Sequence, residues 1–271
     1  MSINFNRNHA QSIYEQIIDV TDPSELTNKK EIFKTHTLSI NDVTSLREAL
    51  NVDAVDFFYN GVLSFSEGID SIFHKRFSWA TVKLYYSVYY LIRASLAARG
   101  IAMIRCNSMF RLSVRPGQQP FGTNAKKYNT THEGTISHYR DLFSLSDQLL
   151  SNNIGTIDAY QWIMEAREIV NYRNSSFEEP DCLEIWDLFS ECVDNGSFVQ
   201  LLKQLEEDAY IMCFQEEYAI VAIPIKRMQQ TINDLADSGL LSKLPKDKET
   251  FARIVIGYDN RELSILRQIF C

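Results

Sequence analysis

Four polar side chains lie close together at the end of a helical segment, in the stretch EAREIVNYRNSSFEEPD, residues 165–181. Arg167 and Asn171 are four residues apart, and Asn174 comes seven residues after Arg167. At 3.6 residues per turn these three side chains share one helical face. Arg173 follows near the helix C-terminus, where the helix dipole favours a positive charge. The group could bind an anion such as an RNA phosphate. The alternative is that Arg167 pairs with a carboxylate and holds the helices together.

Two histidines lie in the segment THEGTISHYRDLF, and histidine is the side chain best suited to move a proton near pH 7. We take His138 as the candidate catalytic partner of Arg167, with His132 as the alternative from the same segment. Their spacing of six residues does not place both on one helical face. Ordinary polar surface is the other interpretation of both histidines.

Further cations near His138 could bind phosphate. Arg140, Lys126 and Lys127 predict a modest phosphate-binding rim. The glutamates of LEEDAY and FQEEY are expected to be solvated helix faces and not metal ligands. The sequence contains no phosphate-binding loop, dinucleotide fingerprint, zinc-protease motif or serine-hydrolase elbow. We therefore expect neither a metal nor a cofactor.

Composition limits the classes of protein that remain. The 271 residues fit one large domain, or one domain with an appended subdomain. A net charge of −8 excludes a general nucleic-acid coating protein, so any RNA contact needs a local basic pocket. The five cysteines show no zinc spacing, and the N-terminus lacks an apolar signal core, which predicts a cytoplasmic protein. The apolar runs are too short to cross a membrane.

Two long helices carry the clearest pattern. Apolar residues that recur every three or four positions predict helices over 53–73 and 78–99. Gly61 and Gly68 in the first helix could let another helix approach closely. The second helix is apolar on two sides, so we expect it at the centre of a bundle, with its many aromatic residues in the core.

The other elements complete an all-α pattern with one small β-hairpin, which we predict as an insertion over about 101–120. Three domain segments follow from these elements: a helical segment over 1–52, a bundle over 53–196 and a C-terminal helical extension over 197–271. Further helices are predicted over 39–50, 135–150, 157–172, 180–193, 198–224, 225–238 and 248–270.

Two segments resemble the HEPN superfamily. RFSWATVKLYYSVYYLIRASLAARG, residues 76–100, is similar to its central Tyr-rich helix, which carries an arginine four residues after the last tyrosine position. EAREIVNYRNSSF is similar to its last-helix motif, in which an aromatic residue or a histidine follows an arginine. The order of the elements agrees over roughly residues 53–195.

The resemblance implies a helical bundle of four or five helices that is often dimeric. Many members are metal-independent ribonucleases of toxin–antitoxin, CRISPR or abortive-infection systems. In these, arginine and histidine of both subunits meet in a cleft and cut RNA through its 2′-hydroxyl group. Other members have lost the histidine and act in binding or regulation.

This chain departs from the catalytic pattern. After Arg167, the positions for histidine hold Tyr172, Arg173 and Asn174. Tyrosine and arginine titrate near ~10 and above ~12, so neither replaces an imidazole. The resemblance therefore implies a non-catalytic interaction or regulatory component of a bacterial defence or toxin–antitoxin-like system. Such a component would act as a homodimer or through a partner protein and could contact RNA. The alternative is a divergent metal-independent endoribonuclease that uses Arg167 with His138 or His132.

Overall fold

The structure is a computed structural model that describes residues 8–123, 125–173, 183–243 and 245–256. Most of these residues are helical, and the strands form two small antiparallel hairpins, which confirms an all-α chain with a small hairpin. None of the described helices has the length and apolar composition needed to cross a membrane. The elements are α1 (His9–Ile17), α2 (Lys30–Thr35), α3 (Ile40–Phe73), α4 (Phe77–Ala98), β1 (Ile101–Cys106), β2 (Ser108–Ser113), α5 (Thr131–Phe143), β3 (Asn153–Ile154), β4 (Ile157–Asp158), α6 (Ala159–Glu168), α7 (Asp187–Asp194), α8 (Phe198–Glu207), α9 (Glu216–Asp237) and α10 (Lys246–Ile256).

The first long helix is longer than the sequence pattern predicts. We expected separate helices over 39–50 and 53–73, but α3 runs through both. Ser39 caps its start, because the Ser39 hydroxyl accepts from the Asp42 N–H at 3.2 Å and the Asp42 carboxylate accepts from the Ser39 N–H at 2.8 Å. No glycine or proline interrupts the chain before Gly61, so nothing stops the helix. The predicted boundary at 52/53 thus falls inside α3.

Glycines let α3 and α4 pack closely. A Cβ atom at Gly61 would lie 2.8 Å from the Leu91 side chain, and one at Gly68 would lie 2.9 Å from the Leu84 side chain. The Ser87 hydroxyl also donates to the Gly61 carbonyl at 2.9 Å, from a fully buried position. The two helices therefore form the centre of the bundle, and α4 is apolar on both sides as predicted.

The hairpin follows α4 directly. Strands β1 and β2 pair antiparallel from Ile101↔Ser113 to Cys106↔Ser108. Asn107 makes the turn with φ of 65°, a left-handed conformation that asparagine tolerates better than most residues. The next helix, α5, starts at Thr131 and not at 135, because the Thr130 hydroxyl accepts from the Glu133 N–H at 3.3 Å and caps it.

In the C-terminal half, the helix predicted over 198–224 is wrong. We expected a helix from 198 that Pro224 would kink or end. The chain instead breaks after Glu207, where the Asp208 carboxylate accepts from the Met212 N–H at 3.0 Å, and Tyr210 has φ of 73°. Helix α9 then passes through Pro224 without ending. Its apolar residues are buried against α4 and the rest of the core, which offsets the cost of the proline.

A buried arginine joins α9 to the bundle. Arg227 is 1% exposed and donates to side chains from four other parts of the chain. We call this group the Arg227 network. It consists of Arg227, Ser95 of α4, Tyr139 of α5, Asp147, Tyr160 of α6, and Thr231 and Asp234 of α9. Helix α9, which belongs to the predicted C-terminal extension, is therefore packed into the core beside α4, α5 and α6.

Candidate anion-binding site

Arg167 lies at the junction of α6 and α4. Helix α6 starts at Ala159 because the Asp158 carboxylate caps it, accepting from the N–H groups of Tyr160 and Gln161 at 3.1 Å each. The Arg167 side chain is largely buried, with its guanidinium carbon 5.0 Å from the centre of the Tyr85 ring. This distance is typical of a cation–π contact.

His132, the second residue of α5, contacts the same tyrosine. Its Nδ1 atom is hydrogen-bonded to the Tyr85 hydroxyl at 3.0 Å, and its ring stacks on Tyr89 with centroids 4.3 Å apart. Burial, together with the positive charges of Arg167 and Arg93, lowers the pKa of His132 to about 4. The imidazole is therefore neutral near pH 7.

Arg93 is the second arginine of the site. It lies on α4, with its guanidinium carbon 4.0 Å from the Phe57 ring centre and 5.9 Å from that of Tyr89. The side chain is only 9% exposed, and its Nε atom has no hydrogen-bond partner among the described residues. The carboxylate of Asp53 is electrostatically coupled to Arg93, but it accepts from the His9 and Ala10 N–H groups at 2.7 and 2.9 Å.

We refer to Tyr85, Tyr89, Arg93, His132 and Arg167 as the Tyr–Arg cluster. Two guanidinium groups and a neutral imidazole converge on two tyrosine rings, so the cluster carries positive charge and hydrogen-bond donors. Burial raises the pKa of Tyr85 above its usual value, so the phenol keeps its proton near neutral pH. The cluster is thus suited to binding an anion and poorly suited to exchanging protons at pH 7.

His138, our predicted catalytic histidine, lies on another side of α5. Its Nε2 atom donates to the Met109 carbonyl of β2 at 3.3 Å, and its ring packs against Tyr128 with centroids 4.5 Å apart. The side chain is fully buried, and burial lowers its pKa. The histidine that shares Tyr85 with Arg167 is His132, which the sequence analysis gave only as the alternative.

The predicted phosphate rim faces carboxylates. Arg140 forms an ion pair with Asp158, and Lys127 Nζ lies 3.8 Å from the Asp141 carboxylate. Lys126 is exposed beside them. These negative charges offset the cations of the rim.

The residues after Arg167 do not continue a regular α-helix. Residues Ile169–Arg173 form a π-helical turn, and Asn171 is half-buried within it. A π turn contains more residues than an α turn, so the single face predicted from 3.6-residue spacing does not extend past Glu168. The Arg173 side chain and Asn174 lie outside the described residues.

Arg93 and the two tyrosines were not predicted as site residues. Sequence analysis assigned the tyrosines of α4 to the core. A usable signal existed, because Tyr85, Tyr89 and Arg93 are spaced by four and share one helical face. An arginine within an otherwise apolar central helix requires a specific partner or ligand.

Within the described part of the chain, no three His, Cys, Asp or Glu side chains are grouped closely enough to hold a metal ion. The chain matches no protein-family model, no curated protein and no solved structure.

Proposed function

We propose that the protein is a HEPN-like component of a bacterial defence or toxin–antitoxin-like system that acts by binding. Its Tyr–Arg cluster receives a phosphate group, with RNA as the ligand, and it assembles as a homodimer or with a partner protein. One observation carries the proposal. In a chain of net charge −8, two largely buried arginines from α4 and α6 lie close enough to His132 for their positive charges to lower its pKa. The resemblance supports it, because Arg93 and Arg167 belong to the two similar segments.

The protonation states favour binding over catalysis. General acid–base catalysis is most efficient when the pKa of the catalytic group lies near the working pH. The pKa of His132 is about 4, and that of Tyr85 is raised by burial. At pH 7 the imidazole is a weak base and is not available as an acid. Two fixed guanidinium groups, by contrast, stay charged at any physiological pH.

A binding experiment tests the proposal. We expect Arg93→Met and Arg167→Met each to weaken binding of a fluorescein-labelled single-stranded RNA about tenfold or more, because a charge-assisted hydrogen bond is lost. Arg140→Gln is the matched control in the predicted rim and should change the affinity less than about threefold. Fluorescence anisotropy at fixed salt measures all four proteins. Equal affinities for the wild type and both cluster variants would contradict the proposal.

A second function is favoured by the position of His132. The imidazole shares Tyr85 with Arg167, which is the kind of pairing that the divergent ribonuclease alternative requires. If the protein cuts RNA, His132→Ala and Arg167→Ala should each abolish cleavage, whereas His138→Ala should retain it when the fold is intact. Absence of cleavage by the folded wild type across several RNAs would support the binding role. Light scattering of the same samples tests the homodimer.

A further inference from the structure

Helix α6 carries a second face, away from the Tyr–Arg cluster, that forms one wall of an apolar groove. Trp162 and Ala166 of α6 are four residues apart, Ile169 begins the π-helical turn that follows, and all three line this wall. Leu183 and Ile185 form the opposite wall, and the groove encloses about 590 Å³. The two walls together present an apolar surface to another molecule.

Both walls are fixed to the core of the bundle. The Trp186 indole N–H, next to the second wall, donates to the Thr81 hydroxyl at 3.0 Å. The Trp186 ring also stacks on Phe77 of α4, with centroids 5.2 Å apart. Because Trp186 is 1% exposed, the residues that precede it are held against α4. The groove is thus a preformed surface, which lowers the entropic cost of binding.

The rim of the groove is acidic. Glu165, Glu184 and Glu216 line it, and no lysine, arginine or histidine does so among the described residues. Glu184 and Glu216 are exposed, and Glu165 accepts from the Gln161 side chain at 2.9 Å. A ligand with positive charges is therefore favoured at this surface.

We infer that the groove binds a basic amphipathic segment of a partner protein. The apolar side chains of the segment lie between the two walls, and its lysines or arginines lie at the three glutamates. This inference rests on the proposed role as an interaction component and names the chemical class of its partner. It does not depend on phosphate binding at the Tyr–Arg cluster. Helices placed in apolar grooves are recognised through anchors at the same three- and four-residue spacing.

The test uses two labelled peptides of identical composition and charge. In the first, leucines recur at helical spacing among lysines and arginines; in the second, the leucines are spread around the helix. We expect the full-length protein to bind the first peptide at least about tenfold more tightly, because only the first presents a continuous apolar face. Fluorescence anisotropy over a range of salt concentrations measures both affinities.

Matched variants locate the binding site. Replacing Glu165, Glu184 and Glu216 together by Gln should weaken binding of the first peptide about tenfold, since three rim ion pairs are lost. The control replaces three exposed glutamates elsewhere, Glu25, Glu48 and Glu207, and should leave the affinity unchanged within about twofold. Ile185→Asp, which places a charge on the second apolar wall, should abolish the preference for the first peptide.

Three results would overturn the inference: equal binding of the two peptides, equal effects of the two triple variants, or no binding at low salt. A thermal melt followed by circular dichroism confirms that each variant is folded. RNA binding by the same proteins separates the two proposals. If the wild type does not bind RNA while the peptide results hold, the phosphate site is wrong and the groove stands. The opposite pattern leaves only the phosphate site.

Discussion

The Arg227 network and the Tyr–Arg cluster both bury guanidinium groups, but the hydrogen bonds and ion pairs of these groups differ. Arg227 is enclosed by acceptors: its Nη2 atom donates to the Ser95 hydroxyl at 2.8 Å, and its Nε atom to the Thr231 hydroxyl at 3.2 Å. Two carboxylates, those of Asp147 and Asp234, lie 3.4 and 3.5 Å from its terminal nitrogens. Such a fully bonded cation joins helices and leaves little room for a ligand.

Arg93 is bonded far less completely. Its guanidinium lies on the face of Phe57, and its Nε atom has no hydrogen-bond partner within the described ranges. Arg167 adds positive charge nearby, His132 stays neutral, and the nearby Asp53 carboxylate accepts from the His9 and Ala10 N–H groups. A buried cation in this state costs stability unless another molecule supplies an acceptor. The difference indicates that the network stabilises the fold, whereas the role that we propose for the cluster is to bind an anion.

The largest effect is expected at the network. Arg227→Met should lower the free energy of unfolding by about 3–5 kcal/mol, because Asp147 would be left buried without its counter-charge and Asp234 would keep only its ion pair with Arg99. Urea denaturation measures it. Replacing both carboxylates by asparagine in the same chain should recover part of the loss. A loss below about 1 kcal/mol would remove the contrast with Arg93, whose replacement by Met should have little effect on stability.

The sequence was sufficient for the parts of the fold that follow local rules. The apolar spacing of α3 and α4, the close approach at Gly61 and the hairpin after α4 were all predicted and are confirmed. The break after Glu207 was missed, because no glycine or proline marks it. The continuation of α9 through Pro224 was missed for the opposite reason: burial of the whole helix outweighs the local cost of a proline.

The site was only partly predictable. Arg167 was selected from its motif, and its role stays a prediction. The choice between His132 and His138 depends on which side of α5 faces α4, and that is set by packing against the hairpin. Arg227 was missed entirely, since its principal carboxylate, Asp147, is 80 residues away in sequence. Long-range pairs of this kind leave no periodic signal in a single sequence.

A smaller effect is expected from the titration of His132. Its pKa is about 4 in the folded chain and about 6.5 when unfolded, so the unfolded state binds the proton first as the pH falls. Stability that is present above pH 6.5 is therefore lost between pH 6.5 and about 4, by about 2 kcal/mol between pH 7 and pH 5. His132→Gln should remove this contribution, seen as a shallower decline of unfolding free energy with acid.

The effect of His132 is isolated by comparing the wild type with the His132→Gln variant. Other groups also titrate below pH 7, so the measured quantity is the difference between the wild type and His132→Gln at each pH. If the two pH profiles run parallel, the pKa of His132 is not lowered by burial or by the positive charges of Arg93 and Arg167.

The smallest effect is expected at the predicted phosphate rim. Arg140→Gln should change the free energy of unfolding by less than about 1 kcal/mol, because the ion pair with Asp158 is partly exposed to solvent. The Asp158 carboxylate keeps its bonds from the Tyr160 and Gln161 N–H groups in the variant, so α6 retains its cap. Urea denaturation measures this change in stability.

RNA affinity then decides between the rim and the cluster. Lys127→Gln and Arg140→Gln together should weaken RNA binding less than about threefold, since Asp141 and Asp158 already offset both charges. A loss as large as that expected for Arg93→Met would place the phosphate at the rim, which is one of the two places that the sequence predicted. In that case the incompletely bonded Arg93 would have to be explained by packing on Phe57 and not by a ligand.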